Sequence, residues 1–142
     1  MCSEGDPGAR AKKAMSAAEA GVRVLFGIPF TRTSHCIWLF KEIGLECELR
    51  MPALMGSDDA EFDAASHGMK RQPTFRDADG TTLIESLAIN LHVLQQHGDG
   101  GSGLAPRTPA EQAALLQWSF FTKTELDQPL FQLLFCGGPG GT

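Results

Sequence analysis

Tyrosine is absent from the 142 residues, so no phenolic hydroxyl is available for chemistry anywhere in the chain. Cysteine is scarce and dispersed: Cys2, Cys36, Cys47 and Cys136 form no C-x-x-C pair and have no metal-ligand spacing, which argues against a dithiol redox centre and a zinc site. His35, His67, His92 and His97 make no recognisable ligand set by spacing, and no metal is expected. Basic charge is also short. A formal net charge of -5 argues against a nucleic-acid partner, which would need a basic face. No apolar run approaches the roughly 20 residues needed to cross a bilayer, and the N-terminus lacks a signal-peptide apolar core, so the expected location is cytoplasmic with no membrane partner.

What is present is an ordered succession of short elements. Residues 1–20 mix Gly, Pro, Ala and charges without apolar periodicity and read as a flexible leader. A transit peptide is the rival reading, favoured by Arg10, Lys12, Lys13 and Ser16 and opposed by Glu4, Asp6 and Glu19. Val22 to Phe26 is a compact β-rich run suited to the middle of a sheet. Thr31, Thr33 and Ser34 are competent N-caps for a helix whose apolar face carries Cys36, Leu39, Phe40 and Ile43 and which stops at Gly44. Glu46 to Arg50 alternates as an outer strand does, with Pro52 soon after. Asp58 to Ser66 is acidic at its front, suiting a short helix that His67-Gly68 breaks.

The segment from Arg71 to Ile89 is the most informative. Thr74 to Asp77 is extended, Ala78-Asp79-Gly80 supplies turn residues, and Thr81 to Ile84 is β-branched-rich, which together predict a hairpin. From Ile84 the spacing of Leu87, Ala88, Leu91 and Leu94 becomes helical. The first N–H groups of a helix starting near Glu85-Ser86 have no partners within it, and its dipole is positive there, so this end can receive a carboxylate.

These residues resemble the glutathione transferase family. Its N-terminal domain carries a (V/Q)P-x-L-x-D-x-(D)G-x-x-L-x-E-S-x-A-I pattern, matched here by Gln72-Pro73, Asp77, Asp79-Gly80, Leu83, Glu85-Ser86 and Ala88-Ile89. Trp38 to Leu45 is similar to that family's W-x-L-E-E-L-G-L first helix, and the two matches span about Val22 to His97. The element order βαβ, helix, ββα is the thioredoxin-like α/β plan, a mixed four-stranded sheet covered by helices. The expected organisation is a thioredoxin-like glutathione-binding domain over 21–97, a Gly/Pro/Ser-rich linker over 98–108, and a partial helical domain over 109–136. A flexible tail over 137–142 completes it. Thr108-Pro109 reads as an N-cap followed by proline at the first helical position, leading into Ala110 to Leu126, with Gln128-Pro129 interrupting that helix. One or two helices of an incomplete all-α domain are therefore expected. The broad apolar surface of Leu116, Trp118, Phe121 and Phe131 calls for a cover, either a partner subunit or further chain, so a homodimer or poor solubility is expected.

The resemblance implies a protein that binds glutathione as co-substrate and conjugates its thiolate to a small electrophile. With no tyrosine, a tyrosine-type site is excluded, and no cysteine lies between Phe26 and Ser34. Alignment on Trp38 and Gly44 puts Thr31 where serine- or threonine-type members have their hydroxyl, making it the catalytic candidate, with Thr33 or Ser34 in reserve. The plainer reading is that all three cap the helix. Cys36 reads as a buried, inert thiol. By resemblance Pro73 follows a cis bond that turns the backbone of Gln72 toward glutathione. Glu85 would face the γ-glutamyl ammonium, Ser86 the adjoining carboxylate, and Lys70 or Arg71 the glycyl carboxylate. The family's usual Asn-Pro before this loop is replaced by His67-Gly68. Two other functions fit the same residues, a non-catalytic glutathione-transferase-like domain for protein assembly and a truncated inactive chain.

Overall fold

A computed structural model describes residues 21–52 and 59–136; the expected leader, the start of the second helix at Asp58 and the tail at 137–142 lie outside the described residues. The chain divides into two compact units, Met1–Gly100 and Gly101–Thr142.

In the first unit the order is β1 (Val24–Phe26), α1 (Thr33–Glu42), β2 (Glu48–Arg50), α2 (Ala60–Ala65), β3 (Thr74–Arg76), β4 (Thr82–Ile84) and α3 (Ser86–His97). The four strands form one mixed sheet in the order β2-β1-β3-β4, with β1 parallel to β2 and antiparallel to β3, and β3 antiparallel to β4. This is the thioredoxin-like architecture. The central strand is β1, all three of whose residues are buried, as its apolar run predicts.

Strand alternation assigns the two layers of the core. Val24 and Phe26 face α2, where they cluster with Phe62 and Ala65, and the Phe26 and Phe62 rings lie 5.7 Å apart. Leu25 pairs with Phe75 across β1 and β3 and so shares the opposite face. There Phe75 meets Phe40 of α1 edge-on at 5.4 Å, and Ile89 and Val93 of α3 are fully buried. Glu61 of α2 takes Arg50 at 2.6 Å and Arg76 at 2.7 Å, tying α2 to strands β2 and β3.

Local chemistry accounts for the helix ends. The Asp59 side chain accepts from the Phe62 N–H at the start of α2, and His67 and Gly68 both adopt positive φ just beyond its end. Gly44, at φ 69°, follows α1. The expected threonine cap of α1 needs correction. Its N-cap is Arg32, with no side-chain capping bond, because Thr33 turns inward and is fully buried, while Thr31 bonds back to the Ile28 carbonyl.

The second unit opens with α4 (Pro109–Phe121), started by Thr108 as N-cap with Pro109 in the first turn, as its sequence predicts, and Glu111 completes a reciprocal capping box with Thr108. Here too the structure departs from the expectation. Pro129 does not interrupt the helix: a π-helical segment at Thr122–Asp127 leads directly into α5 (Gln128–Cys136). Proline lacks an N–H and crowds the carbonyl four residues back, which here is Glu125, and the wider π turn falls on that residue. Leu116, Trp118, Phe121 and Phe131 are all exposed.

Removal of the ring at the centre of the first unit should be costly. Phe75→Ala is expected to lower unfolding free energy by about 3–5 kcal/mol, read from urea denaturation followed by circular dichroism. A loss below about 1 kcal/mol would contradict the packing described for the α1/α3 face.

Candidate functional site

Strand register determines which loops meet. Phe26, Thr74 and Ile84 form one row across β1, β3 and β4, so the next residues outward, Gly27, Pro73 and Glu85, leave the same end of the sheet. Three segments converge there: the β1–α1 loop with Thr31, the approach to β3 with Arg71-Gln72-Pro73, and the start of α3 at Glu85-Ser86.

The segments are joined by bonds between them. Gln72 Oε1 accepts from the Ile28 N–H at 2.9 Å, fastening the approach to β3 onto the β1–α1 loop. The Arg71 guanidinium lies 3.7 Å from the Glu85 carboxylate, both side chains being well exposed. The Gln72–Pro73 peptide is cis. Thr74 is buried, and its hydroxyl donates to the Arg71 carbonyl at 2.7 Å. Glu85 holds a φ of 73°, left-handed backbone that is uncommon outside glycine and that over-determined surroundings must maintain. Ser86 follows as the first residue of α3 and is buried. The Cys36 thiol, also buried, donates to the Ser86 carbonyl at 3.8 Å, linking α1 to the start of α3.

Thr31 is the exposed hydroxyl of the first loop. It donates to the Ile28 carbonyl at 2.7 Å, so the Thr33 hydroxyl, 2.9 Å away, is the donor between the two. The Thr33 N–H also approaches Thr31 Oγ1 at 3.3 Å. Thr33 is wholly buried and shielded from solvent. Ser34 is exposed, but its hydroxyl donates to the Thr31 carbonyl at 2.9 Å. Gly27 makes this arrangement possible, since a Cβ there would fall on Thr33 Oγ1.

Sequence reasoning missed a second constellation at the opposite end of the sheet. Asp77, just beyond β3, is buried and receives His92 Nε2 at 2.9 Å and His97 Nε2 at 2.7 Å, both on Oδ2. Its Oδ1 accepts from Arg23 Nε at 3.2 Å and the Ala78 N–H at 2.7 Å. Burial pushes this carboxyl up, but the bonds from His92, His97 and Ala78 outweigh it and hold it down at about 2. The histidines lie 15 and 20 residues from Asp77, and no spacing rule flags them. The helical register from Ser86 is the one signal that could have brought them to a single helix.

The family model for the glutathione S-transferase N-terminal domain matches residues 25–103, more than half of the chain. The thioredoxin-like domain defined by the sheet is thus of the transferase type, and the chain belongs to the glutathione S-transferase family. No curated protein matches it. Among solved structures, Ure2p in complex with glutathione is 20% identical with a TM-score of 0.75, covering 94% of this chain and 58% of that one. A delta-class glutathione transferase of Nilaparvata lugens is 25% identical with a TM-score of 0.69, covering 82% and 57%. Glutathione transferase F2 of Populus trichocarpa is 20% identical with a TM-score of 0.71, covering 80% and 54%. The chain spans somewhat more than half the length of each of these structures.

Among the described residues of the first unit, neither Cys36 nor Cys47 is poised as a nucleophile. Cys36 is buried, and burial pushes the Cys47 thiol up to about 12. The folded protein therefore holds the Cys47 proton more tightly than the unfolded chain does. The resulting stability is fully present below about pH 9 and is lost as pH rises toward 12. At pH 8.5, iodoacetamide should modify Cys47 at least tenfold more slowly than it modifies the same peptide excised from the protein, as read by mass spectrometry. Equal rates would mean an ordinary thiol at this position.

Proposed function

We propose that this chain binds glutathione at the loop cluster beyond Phe26, Thr74 and Ile84 and conjugates its thiolate to a small electrophile. The observation that carries the reading is the joining of three separate segments at the loop that carries the exposed Thr31 hydroxyl, with Arg71 and Glu85 held 3.7 Å apart beside the buried Ser86. Glutathione has two carboxylates, one ammonium and a thiol. Arg71 suits the glycyl carboxylate, Glu85 the ammonium, and Ser86 with the first N–H groups of α3 the γ-glutamyl carboxylate. The backbone of Gln72, ahead of Pro73, suits the cysteinyl peptide unit.

Thr31 then acts on the sulfur. A free thiol ionises near ~8.5, and each unit of lowering corresponds to about 1.4 kcal/mol of preference for the anion. The Thr33 hydroxyl donates to Thr31 Oγ1, which polarises the Thr31 O–H and makes it a better donor. Turning that O–H from the Ile28 carbonyl to the sulfur would stabilise the thiolate, the nucleophile of the reaction. We further propose a cytoplasmic homodimer whose contact covers the exposed Leu116, Trp118, Phe121 and Phe131.

The same exposed residues favour a second reading, a glutathione-transferase-like domain used for assembly without turnover. Retention on immobilised glutathione combined with conjugation of a model aryl halide separates the two. Under the first reading Thr31→Ala keeps retention and loses about 10- to 150-fold in turnover, the worth of one hydrogen bond to a charged group. Retention without turnover in the unaltered chain, together with a stable heteromeric complex, would select the assembly role. Absence of glutathione binding at millimolar concentration, measured by NMR on folded protein, would overturn both.

A further inference from the structure

The Asp77–His92–His97 cluster lies at the far end of the sheet from the proposed glutathione site and takes no part in it. One register row, Val24, Arg76 and Thr82, marks that end, and Arg23 and Asp77 lie just beyond it. We propose that Asp77, His92 and His97 bind a divalent transition-metal ion of the zinc type.

Three observations carry this. First, one atom from each residue converges: His92 Nε2, His97 Nε2 and a carboxylate oxygen lie within 4.8 Å of one another. Around a tetrahedral zinc with ligand distances of about 2.0–2.2 Å, neighbouring ligand atoms stand about 3.3–3.6 Å apart. The present separations of 2.9 and 2.7 Å to Oδ2 need to open by about 0.4–0.9 Å to admit the ion. Second, the carboxylate is already divided in function. Arg23 and the Ala78 N–H hold Oδ1, which orients the group and leaves Oδ2 to the imidazoles, the outer-shell arrangement that positions a metal-ligating carboxylate. Third, access is graded. Asp77 is 4% exposed whereas the His92 and His97 side chains are 18% and 19% exposed, so an ion and a completing water can reach the histidine side. His97 is also the last residue of α3, where the helix dipole is negative and favours a cation.

The donor set selects the metal. Two imidazoles and one carboxylate suit zinc and its neighbours rather than magnesium or calcium, which prefer oxygen. The Arg23 guanidinium offsets the Asp77 charge, so binding should be modest and reversible rather than of the kind on which folding depends.

The test uses the full chain stripped with a chelator and titrated with zinc chloride by calorimetry. One ion should bind per chain, magnesium chloride should give no signal, and cobalt(II) should give a tetrahedral visible spectrum. His92→Ala and His97→Ala should each weaken zinc at least tenfold, whereas His35→Ala should leave it unchanged. Proton NMR of the unaltered protein covers the case in which a variant does not fold: zinc should shift the ring resonances of His92 and His97 and spare those of His35 and His67. Absence of saturable binding would overturn the proposal. So would stoichiometric binding that survives both alanine variants or that shifts the wrong histidines.

Discussion

A buried carboxylate is costly unless cations and donors surround it, and the first unit is organised around meeting that demand at Asp77. Arg23 reaches it from the chain entering the central strand, Ala78 from the hairpin turn, and His92 and His97 from the last helix. These partners belong to three different parts of the fold. Satisfying one charge therefore sets the entry to β1, the hairpin turn and the far end of α3 relative to one another. The apolar layers supply most of the stabilisation, but they are non-directional, and Phe75 would tolerate small slides that the bonds to Asp77 would not.

With that end pinned, the opposite end of the sheet inherits its geometry. Register carries position along β1, β3 and β4, so Gly27, Pro73 and Glu85 emerge side by side although the chain separates them widely. The glycine is required for close approach, since Thr33 must sit beneath it to present its hydroxyl to Thr31. The left-handed backbone of Glu85 then brings the chain sharply from strand into helix, so that the first turn of α3 opens beside the bonded Arg71-Gln72 segment.

Much of this was legible in the residues, for reasons of range. The hairpin, the Thr108 cap and the glycine after α1 depend on chemistry within about four residues, and there the reading and the structure agree. Where a competing contact came from farther away, local rules misled. Thr33 has the side chain of a capping residue, yet burial against Gly27 takes it inward and leaves Arg32 at the cap. Pro129 has the chemistry of a helix breaker, yet a π turn ahead of it absorbs the missing N–H and the helix goes on.

The sequence by itself determined the succession of strands and helices and the family. Each of these is written in spacing and turn chemistry along the chain. Only the tertiary structure decided which polar groups meet. Arg23 and Asp77 are 54 residues apart, and nothing local to either predicts the other. Their meeting follows from the antiparallel placement of β3 beside β1, and that of His92 and His97 from the packing of α3 on the same sheet. Such convergences are consequences of strand order and helix docking, which arise from burying apolar surface across the whole unit rather than from any short motif.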